Sequence, residues 1–432
     1  MARRVFSRFL LNFTFRRVYY LAGFRPVRPT LHTILPPMNS SSEKDSRRIR
    51  LAFAPCPDYS AQALRPALER VLSPQIEAVG GVSGKSVMLK PNLLAWRKEN
   101  DPQAVNPRFI VETAKIFLDA GASRVAVLEN PAVQTAPQVL KAMGILDELK
   151  SLGVTAANFG DYKKQPPLES VCYHNLEIAN EFRGFDFVAD LAKAKTHGMM
   201  TLTFCVKNLF GLVNGGDRLA WHLAVGRDYD KFADMLLDLY LVVRPDFSLL
   251  DAVTCMEGNG PGAGTPTDRF FVAGGTDALA LDYDAAKILG VDPVTLPLFR
   301  RAIARNLMPD PAIIERVGDV PVCEPLALPD QPVMDMAQLH LGVGIPKHLQ
   351  KILHRALVVN PKLDPKKCVG CGVCVRMCPP KSLRLVDGKP AFDLPHCIRC
   401  FCCQEHCPKG AIEPRMTRTM RVLKAVDRFF RN

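Results

Sequence analysis

Nine of the chain's 14 cysteines fall between Cys368 and Cys407, and eight of them repeat a single spacing. The first run reads Cys368-x2-Cys371-x2-Cys374-x3-Cys378-Pro379. The second, Cys397-x2-Cys400-x2-Cys403-x3-Cys407-Pro408, repeats every one of those positions 29 residues later, which marks an internal duplication. The other five cysteines (Cys56, Cys172, Cys205, Cys255 and Cys323) are scattered singly. A secreted disulfide framework would be short and would staple the whole chain, and this chain of 432 residues is neither short nor stapled. Dense C-x2-C spacing in a large chain points instead to metal thiolates, which are assembled in a reducing compartment. Zinc takes paired C-x2-C knuckles, four ligands to one ion, and has no use for a third cysteine followed by x3-Cys-Pro.

The spacing matches that with which bacterial-type ferredoxins hold two 4Fe–4S clusters. Three closely spaced thiolates wrap one cluster, and the fourth, ahead of proline, reaches across to the other. The expected ligand sets are therefore Cys368, Cys371, Cys374 and Cys407 for one cluster, and Cys397, Cys400, Cys403 and Cys378 for the other. Cys402 stands outside the template and reads as a small buried residue. The segment 384–392, with Asp387-Gly388 at its centre, reads as a hairpin joining the two halves. Between Pro361 and Pro414 nine Lys/Arg face five acids, a net of +4. Positive surroundings favour the more reduced cluster and should raise its potential.

The net charge of +13 raises the question of nucleic acid, and its distribution argues against it. Residues 1–50 carry +9 and residues 415–432 carry +5, leaving the body between them at −1. Two basic ends on a neutral body make no nucleic-acid-binding face. They read as solvated tails, with peripheral contact to an anionic membrane or an acidic partner as the alternative. The opening Arg3-Arg4 with Phe9-Leu10-Leu11 touches on a twin-arginine export signal. Arg16 and Arg17 interrupt the apolar region such a signal needs, and no small-residue cleavage site follows. The favoured expectations are translation from Met38 and a cytoplasmic protein, export being the minor alternative. No window reaches the ~18 uncharged apolar residues of a membrane helix.

From Ile49 onward apolar strand-like runs alternate with amphipathic helical ones. Strands are expected at 49–54, 86–89, 124–128, 154–159, 185–191 and 247–253. Helices are expected at 61–71, 107–120, 202–212, 229–242 and 277–289, the last closing the domain at Gly290. This alternation predicts an α/β domain with a mostly parallel sheet covered on both faces, strand order not being readable. Prolines 325, 329, 332 and 346 then punctuate a stretch without periodicity. The expected division is a basic extension (1–48), an α/β domain (49–325), a linker (326–360), a small α+β two-cluster ferredoxin-like domain (361–414) and a basic tail (415–432).

Two glycine-rich stretches fail as nucleotide loops. Gly81–Ser86 lacks the first glycine of a P-loop, Val79 standing in its place, and precedes a strand rather than a helix. Gly258-Asn-Gly260-Pro-Gly262-Ala-Gly264 follows a strand, but the turn-like Thr265-Pro266-Thr267-Asp268 provides no helix N-terminus for a pyrophosphate. Polar residues at strand ends form a better constellation. Lys90-Pro91-Asn92 ends the second strand; Lys193, Lys195 and His197 alternate, so an extended chain projects all three to one face. Lys207-Asn208 follows, then Asp251, Glu257 and Asn259. Ligands in open α/β sheets bind at the carboxyl ends of strands. On that basis Lys195, His197 and Lys90 are candidate catalytic residues. Lys193, Lys207, Asn208, Asn92, Glu257 and Asn259 are candidates for holding a small anionic ligand, a carboxylate or phosphate. Helix caps and surface ion pairs are the alternative reading of the same residues.

Lys90-Pro91-Asn92-Leu93, Ala192-Lys193-Ala194-Lys195-Thr196-His197, Val206-Lys207-Asn208-Leu209-Phe210-Gly211 and Glu257-Gly258-Asn259-Gly260-Pro261 together resemble the landmarks of domain of unknown function 362. The resemblance covers about residues 50–325, and that family is often fused to a two-cluster ferredoxin module. It implies a shared α/β fold and a shared polar site, and supplies no reaction. The leading expectation is an iron–sulfur redox component moving electrons between its clusters and a ligand or cofactor on the large domain. Alternatives are a non-catalytic electron-transfer subunit docking a redox partner protein, and a binding or maturation factor with structural clusters. Nothing in the residues identifies a flavin or other organic cofactor.

Overall fold

The computed structural model describes residues 48–94, 102–131, 134–165, 172–173, 176–214, 217–218, 221, 228–329 and 360–415. The N-terminal extension up to residue 47, most of the linker (330–359) and the tail after Arg415 lie outside the described residues.

In chain order the large domain comprises β1 (Ile49–Pro55), α1 (Ala61–Ala78), β2 (Ser86–Pro91), α2 (Pro107–Asp119), β3 (Arg124–Leu128), α3 (Ala136–Ala142), α4 (Leu146–Ser151) and β4 (Thr155–Ala157). It continues with β5 (Tyr162–Lys164), β6 (Glu177–Ala179), β7 (Phe187–His197), β8 (Thr201–Thr203), α5 (Cys205–Asn208) and α6 (Tyr229–Val243). Last come β9 (Phe247–Asn259), β10 (Ala263–Gly275), α7 (Ala278–Ile288), α8 (Pro297–Ala304) and β11 (Ile314–Gly318). Helix starts carry the expected chemistry. The Ser60 hydroxyl accepts from Ala63 N–H, and Asn106 caps a helix opened by Pro107.

The strands run in the order β11-β1-β10-β9-β7-β2-β3-β4, with β8 paired to β7. Parallel pairing joins β11 to β1 and links β9, β7, β2, β3 and β4, while β10 runs antiparallel between β1 and β9. The sheet is mostly parallel and carries helices on both faces. Along β1, Ala52 and Ala54 join the core under α1 and α2, while Leu51 and Phe53 join the core under α6 and α7. Period-2 alternation feeds two apolar layers from one strand.

Three expectations need correction. The stretch from Ala263 to Gly275, which includes the turn-like 265–268, is a strand of 13 residues. It pairs with an equally long β9, so the 247–253 run continues to Asn259. The region 202–212 is the short strand β8, one turn of α5 and a turn of 3-10 helix, not a continuous helix. Finally, α8 follows α7, so 277–289 is not the last helix. In each case long-range pairing or packing overrides a local signal.

The C-terminal module contains β12 (Asn360–Leu363), α9 (Val373–Arg376), β13 (Leu383–Val386), β14 (Lys389–Phe392), α10 (Cys402–Glu405) and β15 (Ile412–Arg415). β12 pairs with β15, so the module's two ends meet, and β13–β14 is the hairpin expected around Asp387-Gly388. Its core is small: Cys374, Cys378, Leu383, Cys403 and Ile412.

Candidate functional site

The duplicated cysteine runs fold into two equivalent loop–helix units, α9 following the first loop and α10 the second. Cys368, Cys371, Cys374 and Cys407 line one recess of about 350 Å3, its open mouth included, together with Pro408 and Lys409. Burial raises the Cys374 thiol to about 11, helped by the neighbouring Cys407, Cys371 and Cys368 thiols. Around the second loop, burial raises Cys403 well above the ordinary thiol range, and the thiols of Cys400, Cys397, Cys378 and Cys374 add to it. The recess thus takes three thiols from one run and a fourth from the other. Burial and crowding keep the Cys374 and Cys403 thiols protonated, and a bound cationic metal centre would offset that penalty and hold them as thiolates. The donor set and the recess fit a 4Fe–4S group; when bound, it supplies one-electron transfer. Cys402 is fully buried.

The strand-end residues of the large domain divide into two sets on opposite faces of the sheet. Lys90 lies beside Asp190 in the β2–β7 register, so the two share a face. Lys90 is fully buried and its Nζ donates to Glu129, at the end of β3, across 2.5 Å. The Asn208 amide donates to Asp190 Oδ1 (2.8 Å) and to the carbonyls of Lys90 and Leu191. Burial raises the Asp190 carboxyl well above its ordinary value, with the Lys90 charge and the Asn208 hydrogen bond opposing it. Oδ2 of Asp190 has no hydrogen-bond partner among the described residues.

Lys193 stands three residues from Asp190, and so emerges on the other face. Its Nζ donates to Asp251 Oδ2 and to the Tyr59 hydroxyl oxygen, both at 2.8 Å. Tyr59 O–H donates to Asp251 Oδ1 (2.8 Å), and Asn106 N–H donates to Asp251 Oδ2 (3.0 Å). Burial, then the Asp251 charge, raises the Tyr59 phenol well above its ordinary range. Lys195 Nζ donates to Asn92 Oδ1 (2.8 Å) and to the Gln103 carbonyl (2.6 Å). Asn92 Nδ2 in turn donates to Asn208 Oδ1 (2.9 Å), linking the two sets around the end of the sheet.

The remaining candidates sit elsewhere. His197 Nδ1 accepts from Met199 N–H (3.0 Å) and Met200 N–H (3.3 Å), so a neutral ring carries its proton on Nε2. Lys207 Nζ lies over the Phe210 and Phe232 rings and lines a separate recess with Asp282 and Phe299. The Glu257 carboxylate ties Arg269 to the Ala327 N–H. Asn259, near the tip of the β9–β10 hairpin, offers its carbonyl to Gln404 Nε2 of α10 at 2.8 Å.

That last bond locates the module. The hairpin tip lies against α10: a Cβ on Gly262 would stand 2.6 Å from the Gln404 carbonyl. It also lies against β7: a Cβ on Gly260 would clash with the Thr196 carbonyl and stand 2.7 Å from Thr196 Oγ1. Cys400 packs on the core of the large domain. Sequence reading missed Tyr59, Glu129, Asp190 and Gln404. The apolar 185–191 run holds two acids, Asp186 and Asp190, so the available signal did not single out Asp190.

A mostly parallel α/β sheet with a polar carboxyl end, joined to a module built on two quartets of cysteine, defines an iron–sulfur protein with a large α/β domain. Residues 87–287 match the family described as domain of unknown function (DUF362), and residues 360–408 match the 4Fe–4S dicluster domain. The thylakoid-associated protein sll1697 of Synechocystis sp. is 32% identical over 246 residues, 55% of this chain and 74% of that protein. The chain belongs to the DUF362 family, with a 4Fe–4S dicluster domain in its C-terminal part. A crystal structure of a Thermotoga maritima protein is similar over 50% of this chain at 13% identity. This chain spans 57% of that protein, and the TM-score of 0.32 is too low to carry any argument. Among the described residues no helix is long and apolar enough to cross a membrane.

Proposed function

We propose that this protein is an electron-transfer component whose cysteine module exchanges electrons with a ligand or cofactor held at the carboxyl end of the large sheet. The observation that carries it is the continuous contact from α10 through the β9–β10 tip to Thr196, between Lys195 and His197. Cys400 packs on that domain, and its proposed quartet partners, Cys397, Cys403 and Cys378, would sit close to where the ligand is held. The proposed division takes 49–325 as the ligand-holding domain, 361–414 as the electron-carrying module and 326–360 as the linker. Each module run gives three ligands to its own cluster and its proline-preceding cysteine to the other, which would keep the clusters close enough for hopping.

In this reading Lys195 and His197 act on a small anionic ligand that Lys193, Asn92, Asn208 and Asn259 help to place; Lys90, on the opposite face, and Lys207 and Glu257, which sit elsewhere, take no direct part. The internal pairing of Lys193 with Asp251 and of Lys195 with Asn92 supports a second reading, an electron-transfer subunit with no catalysis of its own. Anaerobic purification separates them. The first reading expects about eight irons and eight sulfides per chain, a co-purifying flavin or small anion, and reduced clusters that this ligand reoxidises. Reoxidation only by an added partner enzyme would leave the second reading. Redox-silent clusters would sink both.

A further inference from the structure

The module turns one cysteine quartet toward the large domain, and the surroundings of the other quartet are unusual for a water-facing surface. Cys371 is exposed, and so is its neighbour Val369, at 62%. The β13–β14 hairpin brings Leu385 (46% exposed) to the same place, while Val386 (45%), the next residue along the strand, faces the other side. A Cβ on Gly372 would stand 3.4 Å from Leu385 Cδ1, and one on Gly370 would stand 2.7 Å from the Gly388 carbonyl. Lys389 Nζ, from the same hairpin, donates to the Cys368 carbonyl at 2.5 Å. The hairpin has no need of these side chains for folding, because Leu383 and Phe392 already face the module core. Large apolar side chains gathered and left in water, with a polar rim, mark an interaction surface.

The rim is predominantly cationic, with the exposed Asp387 at the hairpin turn as a lone counter-charge. Lys366, Arg376, Lys381, Arg384 and Lys409 are all exposed, and none has an acidic partner among the described residues. Arg376 donates to the Cys371 carbonyl and Lys381 to the Arg376 carbonyl, which holds their stems in place and leaves their charge uncompensated. The acids Asp364 and Glu413 are both taken by Lys367. An apolar centre rimmed by uncompensated cations selects a partner with an acidic rim and steers it into register. The patch is small, the size class of transient redox encounters.

We propose that the face formed by Val369 and Leu385 with its Arg384 and Lys381 rim docks a small acidic electron-carrier protein. This rests on the electron-transfer reading above and names its partner by chemistry. The test uses the full-length holoprotein, prepared anaerobically, with an acidic plant-type 2Fe–2S ferredoxin as the probe and biolayer interferometry as the readout. Binding should weaken by about tenfold or more from low to high ionic strength. Lys381→Glu with Arg384→Glu, and separately Leu385→Asp, should each weaken it by about tenfold at low salt. Iron and sulfide content should stay at the parent level. If a charge reversal disturbs loading, the neutral pair Lys381→Gln and Arg384→Gln tests the same rim. Binding indifferent to salt and to all these changes overturns the proposal. So does capture by phosphatidylglycerol vesicles in place of the ferredoxin, or self-association that Leu385→Asp abolishes. A mediator titration of the same preparation keeps the two failures apart: clusters that reduce normally without docking sink only this surface, and clusters that never reduce sink the reading beneath it.

Discussion

Lys193 and Lys90 are buried cations, and each has a carboxylate of its own. Removing one partner of such a pair strands the other charge in a dry site, at a cost of about 3–5 kcal/mol. Lys193→Met should therefore lower the urea-unfolding free energy by roughly that amount, and adding Asp251→Asn should recover part of it. A ligand-binding lysine would behave differently, losing ligand with little loss of stability. Asp282 provides a pH probe. Burial raises its carboxyl from 3.8 to about 7, although it accepts from Cys205 N–H and Val206 N–H. The folded state thus holds this proton more tightly than the unfolded chain. Its contribution is full below pH 3.8 and is lost as pH rises to about 7. The loss is about 1.4 kcal/mol per pH unit. Asp282→Asn should remove that slope from the pH dependence of unfolding, and an unchanged slope would refute the assignment. At this scale the sequence was only half legible. Alternation places Lys193 and Lys195 relative to each other, but the face of Lys90 depends on its register with Asp190, which no local pattern contains.

Among the elements, the β9–β10 hairpin decides how the molecule is joined. Its neighbours were legible because an amphipathic helix or a buried parallel strand shows its own period. The hairpin was not, because Gly258, Gly260, Gly262 and Gly264 with two prolines look like turns when read alone. Two of the glycines are there for contact between elements. Gly260 lets the tip close on Thr196, and Gly262 lets α10 close on the tip. Gly260→Ala should force the tip away from β7 and cost about 1–3 kcal/mol, read as a lowered melting temperature. Gln404→Ala loses a single bond to the Asn259 carbonyl and should cost about 1 kcal/mol. The sharper readout for both is hydrogen exchange at 256–259 and 402–405, which should rise while iron content holds. Exchange that stays at the parent level in both variants would mean the tip does not join module to domain.

For the whole molecule, the module's architecture was the most legible part, since eight cysteines at one repeated spacing leave few arrangements open. What spacing alone left as an expectation was the exchange of the fourth ligands, and two double variants can decide it. If Cys374 and Cys407 serve one cluster, Cys374→Ala and Cys407→Ala should each remove about half of the iron. Combining them should then remove no more than either alone, because the second substitution acts on a cluster already lost. Cys374→Ala with Cys378→Ala should instead remove nearly all of it, although those two cysteines lie in the same run. Uncrossed ligation reverses the two outcomes: the pair within one run would stop at half, and the pair across runs would empty both. The recess shared by Cys368, Cys371, Cys374 and Cys407 supports the first pattern. Iron and sulfide analysis with low-temperature electron paramagnetic resonance on anaerobic samples reads the result directly. It also bears on folding, because with crossed ligation neither half of the duplication can complete a cluster by itself.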